Sequence, residues 1–200
     1  MPRIDFSPSI KTRPVYAALQ SRGAAPALML AEAEGAEALI ELADADAAVM
    51  DRAHVIYIPG GSGHGARLKA LAPKMYHESP SFDACLERYR KALGDAQMGT
   101  QLYLAGGEGA LGRAMSEALA AGMPVEAIQT EHRGSIARRM QCVHCKGVTE
   151  GVTTDPFTCA HCGLTLFVRD HFSRRLGAFQ GVCVDAETPG VVPAAQEIRP

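Results

Sequence analysis

The chain has 200 residues, 47% hydrophobic and 21% charged, with a formal net charge of -2, so it has apolar material for a core but no strong field to draw nucleic acid or an anionic membrane to it. Nowhere does the uncharged apolar run of roughly 18 residues that a membrane helix needs occur, and the opening Met1-Pro-Arg-Ile-Asp-Phe-Ser7 lacks the apolar run of a secretion signal. No nucleic-acid or membrane partner is therefore expected, and the expected location is cytoplasmic.

Residues 1–25 carry Pro2, Pro8 and Pro14 among scattered charges and read as an extended arm. From Ala27 short apolar runs alternate with glycine-bearing turns and helix-period segments. Residues 27–31 form a first strand, followed by Glu-Ala-Glu-Gly35 and a helix through Leu39, Ile40 and Leu42. Residues 54–58 form a second, followed by Pro59-Gly-Gly-Ser-Gly-His-Gly65 and a helix over 66–71. A brief strand at 74–78 is fenced by Pro73 and Pro80. Ser81 then offers an N-cap for a helix with Phe82, Cys85, Leu86, Tyr89 and Leu93 on one face. Residues 101–105, the Gly106-Gly-Glu-Gly109 turn and a helix over 110–121 repeat the cycle, and 125–130 make the last strand. Strands alternating with helices predict an α/β fold: a parallel, doubly wound sheet covered on both faces, over 26–135. A small domain over 136–185 and a flexible tail over 186–200 complete the division.

Glycine turns from strand to helix are where such sheets bind phosphates, because free amides and the helix dipole point outward there. Glu32, Glu34 and Glu37 crowd the first turn with carboxylates, which argues against a dinucleotide. The second turn lacks such charges, so Gly60, Gly61, Gly63 and Gly65 are the weak candidates for a phosphate cradle, the alternative being a tight turn needing positive φ.

The small domain is organised by Cys142-Val-His-Cys145 and, after thirteen intervening residues, Cys159-Ala-His-Cys162. Two such pairs place four thiolates at the tips of two tight turns, the donor set of a tetrahedral metal ion. Zinc is expected, in a zinc-ribbon arrangement, with iron in the same four-cysteine site as the alternative. Gly147 and Gly163 let the backbone turn back and aim amides at the sulfurs. His144 and His161 are spare to the set and are expected to face outward. Loss of a cysteine is expected to unfold residues 140–183 while sparing the sheet. Of the two remaining cysteines, Cys85 falls on the apolar helix face and reads as core. Arg169, Asp170, His171, Arg174 and Arg175, with Phe172 and Phe179, form a dense charged and aromatic cluster, either a solvated face or the centre of a protein interface.

Two family resemblances can be drawn from these residues. Gly99-Thr-Gln-Leu-Tyr-Leu-Ala-Gly-Gly-Glu108 and Val125-Glu-Ala-Ile-Gln-Thr-Glu-His132 resemble the closing half of the NAD-binding domain in ferredoxin reductases of the phthalate dioxygenase reductase type. That family reads Gly-Thr-His-Leu-Tyr-x-Cys-Gly-Pro there, so Ala105 replaces its cysteine; with the acidic first turn, the resemblance implies an inherited scaffold more than a working reductase. Arg138-Arg-Met-Gln-Cys-Val-His-Cys-Lys-Gly-Val-Thr-Glu150 and Leu166-Phe-Val-Arg-Asp-His-Phe-Ser-Arg-Arg-Leu-Gly-Ala-Phe-Gln-Gly-Val182 are similar to the small-subunit family of bacterial dimethylamine monooxygenases. That resemblance implies an accessory subunit, without catalytic residues of its own, of a multi-protein NADPH- and O2-dependent oxidoreductase that removes a methyl group from dimethylamine as formaldehyde. Haem, flavin and iron-sulfur centres are then expected on partner subunits, an oxygenase and a reductase. The alternative is a rubredoxin-like electron carrier between a flavin reductase and an oxygenase.

Overall fold

A computed structural model describes residues 10–199; the first part of the expected arm, 1–9, and Pro200 of the expected tail lie outside the described residues. The first sheet is five-stranded and fully parallel, built from β1 (Ala27–Glu32), β2 (Ala53–Ile58), β3 (Met75–Glu78), β4 (Gln101–Gly106) and β5 (Ile128–His132) in the order β3-β2-β1-β4-β5. Helices α1 (Gly35–Ala45), α2 (Gly65–Ala70), α3 (Phe82–Gly94) and α4 (Glu108–Ala120) connect the strands. Both faces of the strands are apolar because both are covered. Met29, Val55, Tyr57 and Tyr103 point at α1 and α2, which supply Leu39, Leu42 and Leu68. Leu30, Ile56, Leu102 and Leu104 point the other way, at α3 and α4, which supply Phe82, Cys85, Tyr89, Leu111 and Ala114. Ser81 caps α3 by accepting a hydrogen bond from the Ala84 amide at 3.2 Å, and the face predicted for that helix is the buried one, with Cys85 in the core and Leu86 partly buried.

One strand begins later than its apolar run. Pro124 has φ fixed near the helical value, and Val125–Ala127 closes into a 3₁₀ turn with Ala127 donating to the Pro124 carbonyl, so β5 starts only at Ile128. Its outer edge is covered. Residues 10–26 contain no helix and run along β5, where Ala17 donates to the Thr130 carbonyl, Leu19 to the Glu131 carboxylate and Gln20 to the Gln129 side chain.

The second sheet is mostly antiparallel: β6 (Arg138–Cys142), β7 (Val148–Val152), β9 (Phe157–Thr158), β10 (Thr165–Ser173) and β11 (Ala178–Cys183), in the order β7-β6-β11-β10-β9. β8 (Thr154–Asp155) pairs with β12 (Gln196–Glu197), and buried Ile198 follows, so the tail read from sequence as flexible returns to the fold at its end. Helix α4 lies between the two sheets, packing on β4 and β5 and touching β6 and β11. Among the described residues no helix is long and apolar enough to cross a membrane.

Candidate metal centre

Cys142 ends β6 and Cys159 follows β9, so two strand ends of the second sheet deliver the two pairs to one place. The four sulfur atoms lie within 4.8 Å of one another, with Cys142 Sγ 3.8 Å from Cys162 Sγ and Cys145 Sγ 3.7 Å from Cys159 Sγ. A tetrahedral ion with metal–sulfur bonds of about 2.3 Å sets sulfurs about 3.8 Å apart, whereas a disulfide would need about 2.05 Å. Residues and geometry fit a four-coordinate metal ion, the site having no open position for water or substrate.

The local turns explain the spacing. In the first knuckle Cys142 donates to the Gly147 carbonyl, Lys146 to the Cys142 carbonyl, and the Gly147 amide reaches Cys145 Sγ at 3.4 Å. In the second, Cys159 donates to the Leu164 carbonyl and Gly163 to the Cys159 carbonyl. Gly163 takes the left-handed conformation, at φ +74, as its glycine suggests. In the first knuckle that conformation falls to Lys146, at φ +64, and Gly147 is there for space: a Cβ on it would lie 2.5 Å from the His161 ring. His144 and His161 are both exposed, as expected, but His161 also makes a specific contact. Its Nε2–H donates to the Val148 carbonyl at 2.8 Å, tying one knuckle to the other.

Cys142 and Cys159 are buried in a small core with Met140, Phe157, Leu166 and Phe179, whereas Cys145 is exposed. Burial pushes the Cys159 thiol up, but the amides of Cys162 and His161 and two neighbouring thiols outweigh it and bring the thiol to about 6. Against the pull of the Leu164 amide, burial and the three other cysteines push Cys162 up to about 12. Cys159 therefore gives up its proton readily, whereas Cys162, hydrogen-bonded to its three neighbours, is held protonated until a cation displaces the proton.

The carboxyl edge of the parallel sheet, where the strand order reverses between β1 and β4, is the other place to look for a site. It is filled from within. The Glu32 carboxylate accepts the Gly107 amide at the start of α4, taking the place a phosphate would need; burial holds its carboxyl above the usual range despite that amide and Arg113. A Cβ on Gly134 would lie 2.9 Å from Glu34 Oε2, and one on Gly107 would lie 3.2 Å from the Ser135 carbonyl, so the linker after β5 lies across the crevice. Arg133 is buried there between Glu131, at 2.7 Å, and Glu41, at 2.8 Å. Ala105 packs against α1 closely enough that a Cβ on Gly35 would lie 2.2 Å from its carbonyl oxygen.

The second glycine turn lies one strand away from the reversal, after β2. Gly60 and Gly61 have φ of +54 and +87, and Ser62 donates to the Pro59 carbonyl and pairs with the Tyr57 hydroxyl, a tight turn. Glu78 occupies the space beside Gly65, where a Cβ would lie 2.6 Å from its carboxylate; Gly63 has open space around it.

Sequence reasoning missed a buried cluster of charge between the sheets. Glu108, in the first turn of α4, lies 3.3 Å from Arg138 Nε of β6 and 3.9 Å from Arg13 of the arm. Asp170 of β10 pairs with Arg138 at 3.0 Å and with Arg13 at 2.5 Å. Both guanidiniums lie over the Phe179 ring, at 4.7 and 5.8 Å. Phe179 is therefore core and Asp170 points inward, which corrects the reading of 169–179 as a single outward surface; Arg169, His171, Arg174 and Arg175 are the exposed remainder. The signal available was Glu108 at the helix start, which the α4 dipole favours, but no periodicity marks its partners.

Comparison with known proteins fits this two-part layout. The family model described as dimethylamine monooxygenase subunit DmmA-like, N-terminal domain, matches residues 8–128, and the corresponding C-terminal domain matches 139–182. The heme-dependent oxidative N-demethylase delta subunit of Ectopseudomonas mendocina (strain ymp) is 40% identical over 103 residues, covering 50% of this chain and 59% of that protein. Among solved structures, a flavohemoglobin from Malassezia yamatoensis is 14% identical over 55% of this chain and 32% of its own, with a TM-score of 0.42. An intact type IV self-sufficient cytochrome P450 monooxygenase is 15% identical over 79% of this chain and 21% of its own, with a TM-score of 0.43. Neither structural likeness is close enough to support a functional reading. The two family models between them cover most of both sheets, and the chain belongs to the family of dimethylamine monooxygenase DmmA-like subunits.

Proposed function

We infer that this chain is a non-catalytic subunit of a cytoplasmic, multi-subunit oxidative N-demethylase, in which Cys142, Cys145, Cys159 and Cys162 hold a structural zinc ion. The reaction assigned to the whole assembly is NADPH- and O2-dependent removal of a methyl group from dimethylamine, with haem, flavin and iron-sulfur chemistry on partner oxygenase and reductase chains. Bound zinc supplies fixed geometry rather than reactivity, since all four positions are taken by sulfur. The observation that carries this reading is the likeness to an N-demethylase delta subunit in a chain whose cysteine cluster is closed and whose switch-point crevice is filled by its own residues.

The exposed Arg169, Arg174 and Arg175 on and after β10 are the proposed contact with partner chains, Phe179 being excluded by its burial. Purification of the tagged chain from its native cells tests the proposal. Co-purifying oxygenase and reductase subunits are expected, with one zinc per chain and no visible colour in this chain once it is separated from them, and with the Arg174→Glu, Arg175→Glu double variant keeping its metal and losing the partners. Absence of those subunits from the wild-type preparation would refute the assignment.

The exposure of Cys145 favours a second reading, in which the four cysteines hold iron and the chain carries electrons, since transfer needs a ligand near the surface. Visible absorbance that bleaches on reduction in the chain freed of its partners would decide for it.

A further inference from the structure

The amino edge of the parallel sheet, opposite the filled carboxyl edge, carries apolar side chains left in the open. Met75 at the start of β3 is 50% exposed, Met98 ahead of β4 is fully exposed, and Val125 ahead of β5 is 38% exposed. In the order β3-β2-β1-β4-β5 these three span the sheet's full width, four strand spacings or about 19 Å. Two hollows, of about 480 and 260 Å³, lie side by side along the same edge and share Ala96 and Thr100 of the loop before β4, so they form a groove in two parts.

The smaller hollow is lined by Arg52, His54, Lys74, Arg88 and Lys91 against the single carboxylate of Asp95. Arg52 is committed to Asp46 at 3.0 Å and Lys91 to Asp95 at 2.9 Å. Lys74 and Arg88 have no ion pair or side-chain hydrogen bond among the described residues. The uncompensated charge is felt by its neighbours: burial first, then Arg88 and His77, hold His54 below the ordinary histidine range, and burial and Arg88 do the same to His77. A groove with exposed methionines and surplus cations matches a segment that brings apolar side chains and carboxylates together.

The geometry points to this amino-edge groove as the docking site for an acidic amphipathic segment of a partner subunit, with Met75 and Met98 as its apolar anchors and Lys74 and Arg88 as its charge contacts. The inference rests on the assembly proposed above and adds a second, separate contact to it. A helix of about 12 residues is about 18 Å long and fits the span.

Hydrogen exchange of the chain alone and in its purified native assembly tests this, together with cross-linking from a photoreactive residue placed at Met98. Amides at 74–78, 95–101 and 124–127 are expected to gain protection in the assembly, with the cross-link falling on an acidic segment of another subunit. No change at those amides would overturn the inference, as would a cross-link to a second copy of this chain. If the wild-type chain purifies without partners, the assembly reading fails, and the groove is then judged with an acetylated peptide of about 12 residues in a repeating glutamate and leucine pattern. Binding at least tenfold weaker in the Lys74→Glu, Arg88→Glu variant supports the groove; equal binding in both proteins, or none, overturns it.

Discussion

The backbones of Gly112 and Gly177 touch across the two sheets: a Cβ on Gly177 would lie 2.1 Å from the Gly112 carbonyl oxygen, and one on Gly112 2.4 Å from the Gly177 carbonyl oxygen. Gly112 is on α4 and Gly177 is in the turn before β11, at φ +58, so the helix between the sheets is held backbone to backbone against the cysteine-bearing module. No flexible side chain can give way there. Gly112→Ala is expected to cost about 3 kcal/mol, the upper end of what overpacking usually costs. Denaturant unfolding checks this, with Gly109→Ala, which meets no neighbour, as the control.

The same interface argues that damage to the metal centre spreads. β6 carries both Cys142, a proposed ligand, and Arg138, whose guanidinium compensates buried Glu108 of α4. Cys159→Ser is expected to lose the metal and then to loosen α4 and β5 as well, because a buried carboxylate left without its partner costs about 3–5 kcal/mol. This departs from the expectation that the sheet would be spared. Faster hydrogen exchange in residues 108–132 of the variant, not only in 138–183, is the sign to look for.

His132, buried at the end of β5, donates from Nε2 to the Ser135 carbonyl at 3.0 Å. Burial holds its pKa below the ordinary value, with the carbonyl pulling the other way. A histidine lowered in the folded state binds its proton first in the unfolded chain, so its contribution is present above the unfolded pKa of about 6.5 and is lost as pH falls through the folded value. Stability is therefore expected to decline below about pH 6.5, and less steeply in His132→Gln. His54 and His77, also lowered, add to the slope in the same direction.

The Glu32 carboxylate on the Gly107 amide predicts that the isolated chain binds NADH or NADPH weakly or not at all. Calorimetry on the wild type should show no micromolar binding. Glu32→Ala alone should not create it, because Glu34 and the 133–135 linker still lie over the crevice.

Local features of this fold were legible in the sequence, and long-range ones were not. The strand and helix alternation, the Ser81 cap and the buried face of α3 follow from residues a few positions apart. The cysteine spacing brought Cys142, Cys145, Cys159 and Cys162 together on paper as the structure does in space. Arg13 and Asp170 are 157 positions apart, and nothing in the arm's composition announces that its arginine is buried over Phe179. Gly147 was legible in part for a related reason: its amide does reach Cys145 Sγ, but the need for glycine comes from the His161 ring arriving from the other knuckle.

Reconstitution of N-demethylase activity with and without this chain tests the proposed subunit role, with formaldehyde from dimethylamine, NADPH and O2 as the readout. The chain alone is expected to produce none, the other subunits without it to assemble poorly and lose most of their rate, and addition of the metal-loaded chain to restore both assembly and turnover. Formaldehyde formed by the isolated chain, or full assembly and activity in its absence, would contradict the proposed role as a non-catalytic subunit of that enzyme.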